Sequence, residues 1–431
     1  MTLSGGESKK IIEEARTEKL NQLIEQLVEA ELHRSNSVPI DNSKIEELKQ
    51  TMDSLMERYQ TEQDKDIKRL TLEAVTTTAK TDLQLGEQAL LFFQELLEGN
   101  DKNSLKIQYY WAANGIQDIV RAHPSLAEKA AMPLIKNMLN HEFFWARWES
   151  ASDLESTVRS HPDLAVQAKD ALVKALQNDQ EGFIRKQVAL VLWRIGKTHT
   201  DLAEQALFAL SKAVQEDKDP TVRSTAIDAI RWLTESDSDL AKKALPTIIN
   251  ALEKDEESIV QHSAALTLGI IGETHSNLSR EARTPLTRAL MNGKNETTRR
   301  AFARDLARIY RAHPDLAQLD LPSLITFLRV NKNPEFRGTA AYLLGVIGES
   351  HSGLSKEATP PLINALRDMD RFVRIKSVEA LSAIARANPD LKKHIVDTLK
   401  KERKGNDRLV QNSIDEELEQ ITRSAKYKKS P

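Results

Sequence analysis

Six of the ten histidines share one position of a repeating pattern: His123, His161, His199, His275, His313 and His351. Imidazole is the commonest metal ligand, so a regular row of histidines is the first place to look for a metal centre. Their spacing argues against it. Side-by-side helices put neighbouring members about 10 Å apart, whereas a metal–nitrogen bond is about 2 Å long. A turn-closing role is the better expectation, and Asp237 and Asn388 stand in the same column at two further positions. The chain has no cysteine, which excludes disulfides, zinc–cysteine sites, iron–sulfur clusters and a thiol nucleophile. It has no GxxxxGK phosphate loop and no GxSxG elbow. The Ile-Gly pairs at Gly196, Gly272 and Gly348 recur every 76 residues and read as helix ends, where glycine tolerates the left-handed conformation. No metal and no cofactor is expected.

Three other sets of residues could bind rather than react. Arg147, Arg185, Arg223, Arg299, Arg337 and Arg374 form a column, with Gln261 in one place. A second column reads Lys136, Lys174, Lys212, Asn250, Arg288, Thr326, Asn364 and Lys401. Five of these eight are basic and none is acidic, in a chain of net charge −3. That is a candidate stripe for an acidic peptide or a phosphate backbone. The competing reading is an ordinary solvated polar position. The third set is aromatic: nine of the 21 aromatic residues fall between Phe92 and Trp148. Trp145 aligns with Phe183 and Phe372 and is expected inside. Trp148 aligns with the polar Lys186, Ser224, His262 and Arg300 and is expected to be exposed. Tryptophan is enriched at binding hot spots. The rival expectation packs Trp148 against the N-terminal helices.

A 38-residue repeat positions all of these. Leucines in a short polar turn recur at Leu83, Leu126, Leu164, Leu202, Leu240, Leu278, Leu316, Leu354 and Leu391, in steps of 43, then six of 38, then 37. The preceding residue is a strong N-cap in eight of the nine, such as Asp163, Asp201 and Asp239, so a second helix starts there. Apolar residues follow at helical spacing, as in Leu240, Ala244, Leu245, Ile248, Ala251 and Leu252. Pro133, Pro246, Pro285, Pro322 and Pro360 enter this helix and predict a kink or a split. The first helix carries the arginine column, a small residue four places on (Ala151, Ala189, Ala265) and a leucine after three more (Leu154, Leu192, Leu268). These offsets share one helical face. Two helices alone cannot bury such faces, whereas stacked pairs can, which predicts an α-solenoid.

The segment Asp219-Pro220-Thr221-Val222-Arg223, with Ala226, Ala229 and Ile230, resembles the HEAT-repeat signature. Asp370-Arg371-Phe372-Val373-Arg374, with Ala380 and Leu381, does so too. The resemblance covers about residues 64 to 407. It implies an all-α, right-handed, armadillo-type solenoid of about nine two-helix repeats, with the second helix of each pair lining the concave side. It also implies that the column arginines pair with acidic residues of inter-repeat turns, Asp179 and Asp217 or Asp219 here. The family includes scaffolds, transport receptors, regulatory subunits and a few enzymes. Its metal-dependent hydroxylases use several His-Glu pairs, and this chain has one, His141-Glu142.

The ends lie outside the register. Lys19 to Leu32 carries Leu20, Leu23, Ile24, Leu27 and Val28 on one face. A second helix, opened by Ser43 and Glu46 as a capping box, carries Ile45, Leu48, Met52, Leu55 and Tyr59. We read these as a cap over the first repeat rather than a coiled coil. Asp407 to Ile421 reads as a last helix, followed by a basic tail with Arg423, Lys426, Lys428 and Lys429. The expected division is thus 1–63, 64–407 and 408–431. Composition agrees with a helical chain: 15 glycines, 14 prolines and 29% charged residues. The longest apolar run is six residues, Val188 to Trp193, far short of the roughly 20 that a membrane helix needs. With no apolar signal core at the start, the expected location is cytoplasmic. The expected function is a non-enzymatic scaffold or adaptor binding a protein or peptide, an acidic one being the class that suits the stripe, through Lys136, Lys174, Lys212, Asn250, Arg288, Asn364, Lys401 and Trp148. The alternatives are a nucleic-acid cradle using the same stripe and an enzyme with a site assembled across repeats.

Overall fold

The computed structural model describes residues 42–98, 106–292 and 296–427, so the amphipathic segment from Lys19 to Leu32 lies outside the described residues. The described residues are helical and contain no strand. The chain divides into two compact units, Met1–Ala209 and Leu210–Pro431.

The first unit holds α1 (Asn42–Thr61), α2 (Lys65–Ala79), α3 (Leu83–Glu98), α4 (Lys106–Ala122), α5 (Ala127–Asn140), α6 (Phe144–Ser160), α7 (Ala165–Asn178) and α8 (Gly182–Thr198). The boundary falls within α9 (Thr200–Glu216). The second unit continues with α10 (Pro220–Thr234), α11 (Ser238–Lys254), α12 (Ser258–Thr274), α13 (Ser279–Asn292), α14 (Glu296–Ala312) and α15 (Pro314–Val330). It ends with α16 (Pro334–Ser350), α17 (Ser352–Ala365), α18 (Arg371–Ala387), α19 (Pro389–Arg403) and α20 (Arg408–Tyr427). Within each unit the first helices of the pairs stack on one another: α2, α4, α6 and α8 in one, α10, α12, α14, α16 and α18 in the other. The second helices form a neighbouring row, with α3, α5 and α7 in contact in order.

The repeat columns build the core. Ala151, Leu154, Ala189 and Leu192 are buried in the first unit, and Ala265, Leu268, Ala341 and Leu344 in the second. Alanine at the middle offset lets one first helix lie close on the next, so the leucines interlock at native packing density. The turn leucines from Leu126 to Leu354 are buried, while Leu83, the first residue of α3, is exposed.

Several local expectations need correction. Five second helices, α9, α11, α15, α17 and α19, begin two residues earlier than the capping pattern suggests, whereas α3 begins at Leu83 with Asp82 accepting from the Gln84 and Leu85 N–H groups. Asp201, Asp239, Asp315 and Asp390 lie inside the first turn, where a negative charge still suits the helix dipole. The N-cap side chain of α11 is Asp237, which accepts from the backbone N–H groups of Asp239 and Leu240. Ser43 is likewise a residue of α1 rather than its cap. The prolines neither split nor end their helices: Pro246, Pro322 and Pro360 sit within α11, α15 and α17. Their rings are on the exposed side, where water can satisfy the carbonyl that loses its N–H partner. Short 3-10 turns at Pro124–Leu126 and Pro162–Leu164 precede α5 and α7 instead. The last helix runs on to Tyr427, so Arg423 and Lys426 belong to it rather than to a tail.

The glycine pattern also has a different cause. Gly272 and Gly348 are helical residues, not left-handed ends. A Cβ on Gly272 would come within 2.5 Å of Ile309 Cδ1, and one on Gly348 within 2.6 Å of Ile384 Cδ1. Close approach of the isoleucines of the next first helix is what favours glycine there.

Candidate functional site

The arginine column is a staple between turns. In the first unit Arg147 donates from Nε and Nη2 to the two carboxylate oxygens of Asp179, at 2.7 and 3.0 Å. Its Nη1 donates to the carbonyl of His141 in the preceding turn. In the second unit Arg223 repeats the fork on Asp255 and donates to the Asp217 carbonyl, while Gln261 donates to the Asp255 carbonyl. Asp219 instead caps α10 through the Thr221 N–H. These guanidinium groups are largely buried and committed, so the column is no free anion ladder. Burial pushes the carboxyls of Asp255 and Asp368 up, but the arginine forks and backbone N–H groups outweigh it and hold both below the usual range.

Four of the six column histidines bond across repeats, whereas His161 meets the Thr157 carbonyl of its own helix. His123 Nε2 meets the carbonyl of Ala79 at 2.8 Å in the first unit. In the second, His275 meets Thr234 at 3.0 Å and His313 meets Gly272 at 2.7 Å. Asn388 donates to the carbonyl of Gly348 in the same manner. These rings satisfy the free carbonyls at the ends of the preceding first helices. Among the described residues, no group of three or more His, Asp or Glu side chains is placed to hold a metal ion.

The basic column lies on the second helices. In the first unit Lys136 and Lys174 are exposed, and Lys136 pairs with Glu98 at 2.9 Å. In the second, Lys212 lies 3.8 Å from Glu216, and Arg288 pairs with Glu253. Asn250 is half-buried, and Thr326, Asn364 and Lys401 are exposed. Three of the five cations thus have an acidic neighbour that already neutralises them. The column reading missed these neighbours because it counted only charges in one register.

The aromatic set divides, with Phe92 and Phe93 buried in the core of the first unit and a second group lying nearer the surface. Phe144, Trp145, Trp148 and Phe183 are all half-buried. Trp145 and Trp148 meet edge to face at 6.3 Å between centroids, and Phe183 lies 5.1 Å from Phe144 and 5.7 Å from Trp145. Trp148 is therefore half-buried rather than fully exposed. It leans on its own repeat and presents a partial face.

A feature absent from the sequence reading is a row of exposed apolar side chains. In the first unit Leu91 on α3, Met132 on α5, Val166 on α7 and Phe208 on α9 are 54 to 73% exposed. All four lie on second helices. A signal was available: Met132 and Phe208 both stand six residues after their turn leucine, where other repeats carry Pro246, Pro322 and Pro360.

Two buried carboxyls stand apart. Asp153 on α6 is buried, and burial followed by the charge of Glu149 pushes its carboxyl well up. Asp305 on α14 is fully buried and also pushed up by burial, against the opposing charge of Arg304. They sit in different units; Glu149 acts on Asp153, and Arg304 and His262 act on Asp305.

No helix among the described residues is long and apolar enough to cross a membrane. The sequence pattern of the family described as HEAT repeats matches residues 131–231, 209–307 and 321–414. Among solved structures, the chain is similar to the karyopherin Kap121p bound to the extreme C-terminus of the protein phosphatase Cdc14p. The TM-score is 0.68 at 14% identity, over 91% of this chain and 43% of that one. Kap121p bound to Nup53p gives 0.64 at 15%, over 90% and 43%. Kap95p, in a structure describing its effect on the switch loops of RanGDP, gives 0.59 at 12%, over 86% and 51%. At such identities the likeness is one of fold. The chain spans about half the length of these karyopherins or less. No curated protein matches the sequence.

Proposed function

The chain belongs to the HEAT-repeat family, and on that premise we propose that it is a non-enzymatic scaffold that binds a protein or peptide through the surface of its second helices. The observation that carries this reading is the row Leu91, Met132, Val166 and Phe208. Single exposed apolar residues are ordinary on any surface. Four on one row of adjacent helices, flanked by Lys136 and Lys174, are not scattered. Apolar anchors with a few cations between them suit a protein partner, where desolvated side chains carry most of the binding energy. The Kap121p structures hold a protein or the terminus of one, which agrees in class with such a partner. A rigid preformed surface adds affinity by lowering the ordering cost of binding.

The nucleic-acid reading is weaker. Phosphate binding needs uncommitted cations, because it gains by counterion release. Glu98, Glu216 and Glu253 take up Lys136, Lys212 and Arg288 instead. The test is affinity capture with the full chain, with and without nuclease, using the wild type, a Leu91→Glu/Met132→Glu/Phe208→Glu variant and a Lys174→Glu/Lys212→Glu/Arg288→Glu variant. The reading expects a protein retained after nuclease and lost in the apolar variant. Nucleic acid recovered by the wild type and lost in the charge-reversed variant would replace it with the second reading.

A further inference from the structure

The second unit contains a cavity of about 150 Å³ between α13, α14, α15 and α16. Its walls are apolar: Leu290, Leu306, Leu324, Phe327, Phe336 and Leu343. Phe327 and Phe336 meet edge to face at 5.9 Å between centroids. Exposed Met291 and Ser323, both in the lining, mark the mouth.

The far end is polar and tightly built. Tyr310 is fully buried and donates its hydroxyl to Asp320 Oδ2 at 2.5 Å. Arg283 donates to Asp320 Oδ1. A carboxylate offers about four lone-pair sites, and the two named donors occupy two of them. Asp320 therefore retains acceptor capacity, its position is fixed by two partners, and it lies in the cavity lining.

Volume, walls and acceptor together select a ligand class. A dry cavity of about 150 Å³ lined by apolar side chains holds a ring the size of benzene. Here one end also offers a carboxyl oxygen acceptor, which a ligand donor can satisfy and a plain hydrocarbon cannot. We propose that this cavity is a binding site for a single six-membered aromatic ring bearing one hydrogen-bond donor, the chemistry of a phenol. The donor lies on Asp320 and the ring between Leu324, Phe327 and Phe336. The site stands independently of the partner-binding surface, since it is lined by different residues and is tested with a small probe.

The full chain labelled at its methionine methyl groups is titrated with phenol while the Met291 signal is followed. The expected result is a saturable shift of Met291 with the other methionine signals unmoved. Anisole and benzene, which lack the donor, bind more weakly by about tenfold or more, the worth of one hydrogen bond to a carboxylate. Ala340→Leu fills the cavity and abolishes the shift, and Leu343→Phe provides a second filled variant should the first misfold. N-acetyltyrosinamide distinguishes the sources: binding assigns the site to a tyrosine side chain of a polypeptide, and exclusion with phenol still bound assigns it to a free phenolic molecule. No saturable shift with phenol, an undiminished shift in a folded filled variant, or equal affinity for anisole overturns the proposal.

Discussion

Arg337 grips Asp368 through Nε at 2.8 Å and Nη2 at 2.6 Å, and the same Asp368 gives its carbonyl oxygen to Arg374 at 2.7 Å. Arg337 also holds the carbonyl of Asn331, and Arg374 the carboxylate of Asp407. A continuous chain of charge-assisted bonds therefore ties one inter-repeat turn to the next. It fixes the spacing of consecutive repeats, which is the quantity a solenoid must control to present a regular surface.

Arg337→Ala leaves the half-buried Asp368 carboxylate without its fork. The expected loss is about 2–3 kcal/mol, since bonds to charged groups are worth more than neutral ones and the carboxylate keeps its desolvation cost. Arg337→Lys restores charge but not the planar fork and recovers only part. Denaturant melts of the three proteins check this order.

Acid should release the same staples. Asp255 and Asp368 are held below the usual range in the folded state, and an aspartate in an unfolded chain titrates at about 3.9. A lowered carboxyl contributes stability that is full above the unfolded value and is lost as pH falls through the folded one. Stability should therefore fall below about pH 4, and an Asp368→Asn variant should show a shallower acid loss. Melting midpoints between pH 7 and pH 3 measure both.

Asp153 gives the opposite sign. Burial, then Glu149, raises its carboxyl well above the usual range, so keeping it costs stability at neutral pH, a cost that starts to decline as pH falls below the raised value and is gone only near the unfolded value of about 3.9. Asp153→Asn should stabilise the protein at pH 7.5 by about 1 kcal/mol or more, following the cost of a poorly paired buried charge, and the gain should shrink as pH falls and be gone near about pH 4. Equal melting shifts at both pH values would contradict this.

The glycines of α16 should not be equivalent. A Cβ at Gly345 would meet Ala380 Cβ at 2.6 Å and its Cα at 2.8 Å, so the backbone of α18 must move. At Gly348 the obstacles are Cδ1 and Cγ1 of Ile384, which can rotate aside. Alanine gains about 1 kcal/mol of helix propensity at either site, against an overpacking cost of about 1–3 kcal/mol. Gly345→Ala should destabilise clearly and Gly348→Ala little, as read by thermal melts.

The architecture was legible because a solenoid repeats its physics. The turn leucines, the small residues of the first helices and the arginine column each answer the same packing problem in every repeat, so spacing alone exposed them. Contacts between repeats were harder to read. The glycine at 348 looked like a helix end because its partner, Ile384, lies in the next repeat. The lysine column looked uncommitted because Glu98 and Glu253 stand 38 and 35 residues before their partners, outside any one column. The cavity below Tyr310 depends on local volume, which no periodicity encodes. Trp148 was legible as unusual, and its partial burial against Trp145 explains why alignment with polar residues misjudged it.

The most direct test of the account is a comparison of partner capture by the wild type and by Leu91→Glu/Met132→Glu/Phe208→Glu, with melting curves confirming that both are folded. The account predicts that a nuclease-resistant protein partner is retained by the wild type and lost from the variant while the melting temperature barely moves, because all three side chains are already exposed. Undiminished capture by a folded variant would contradict it.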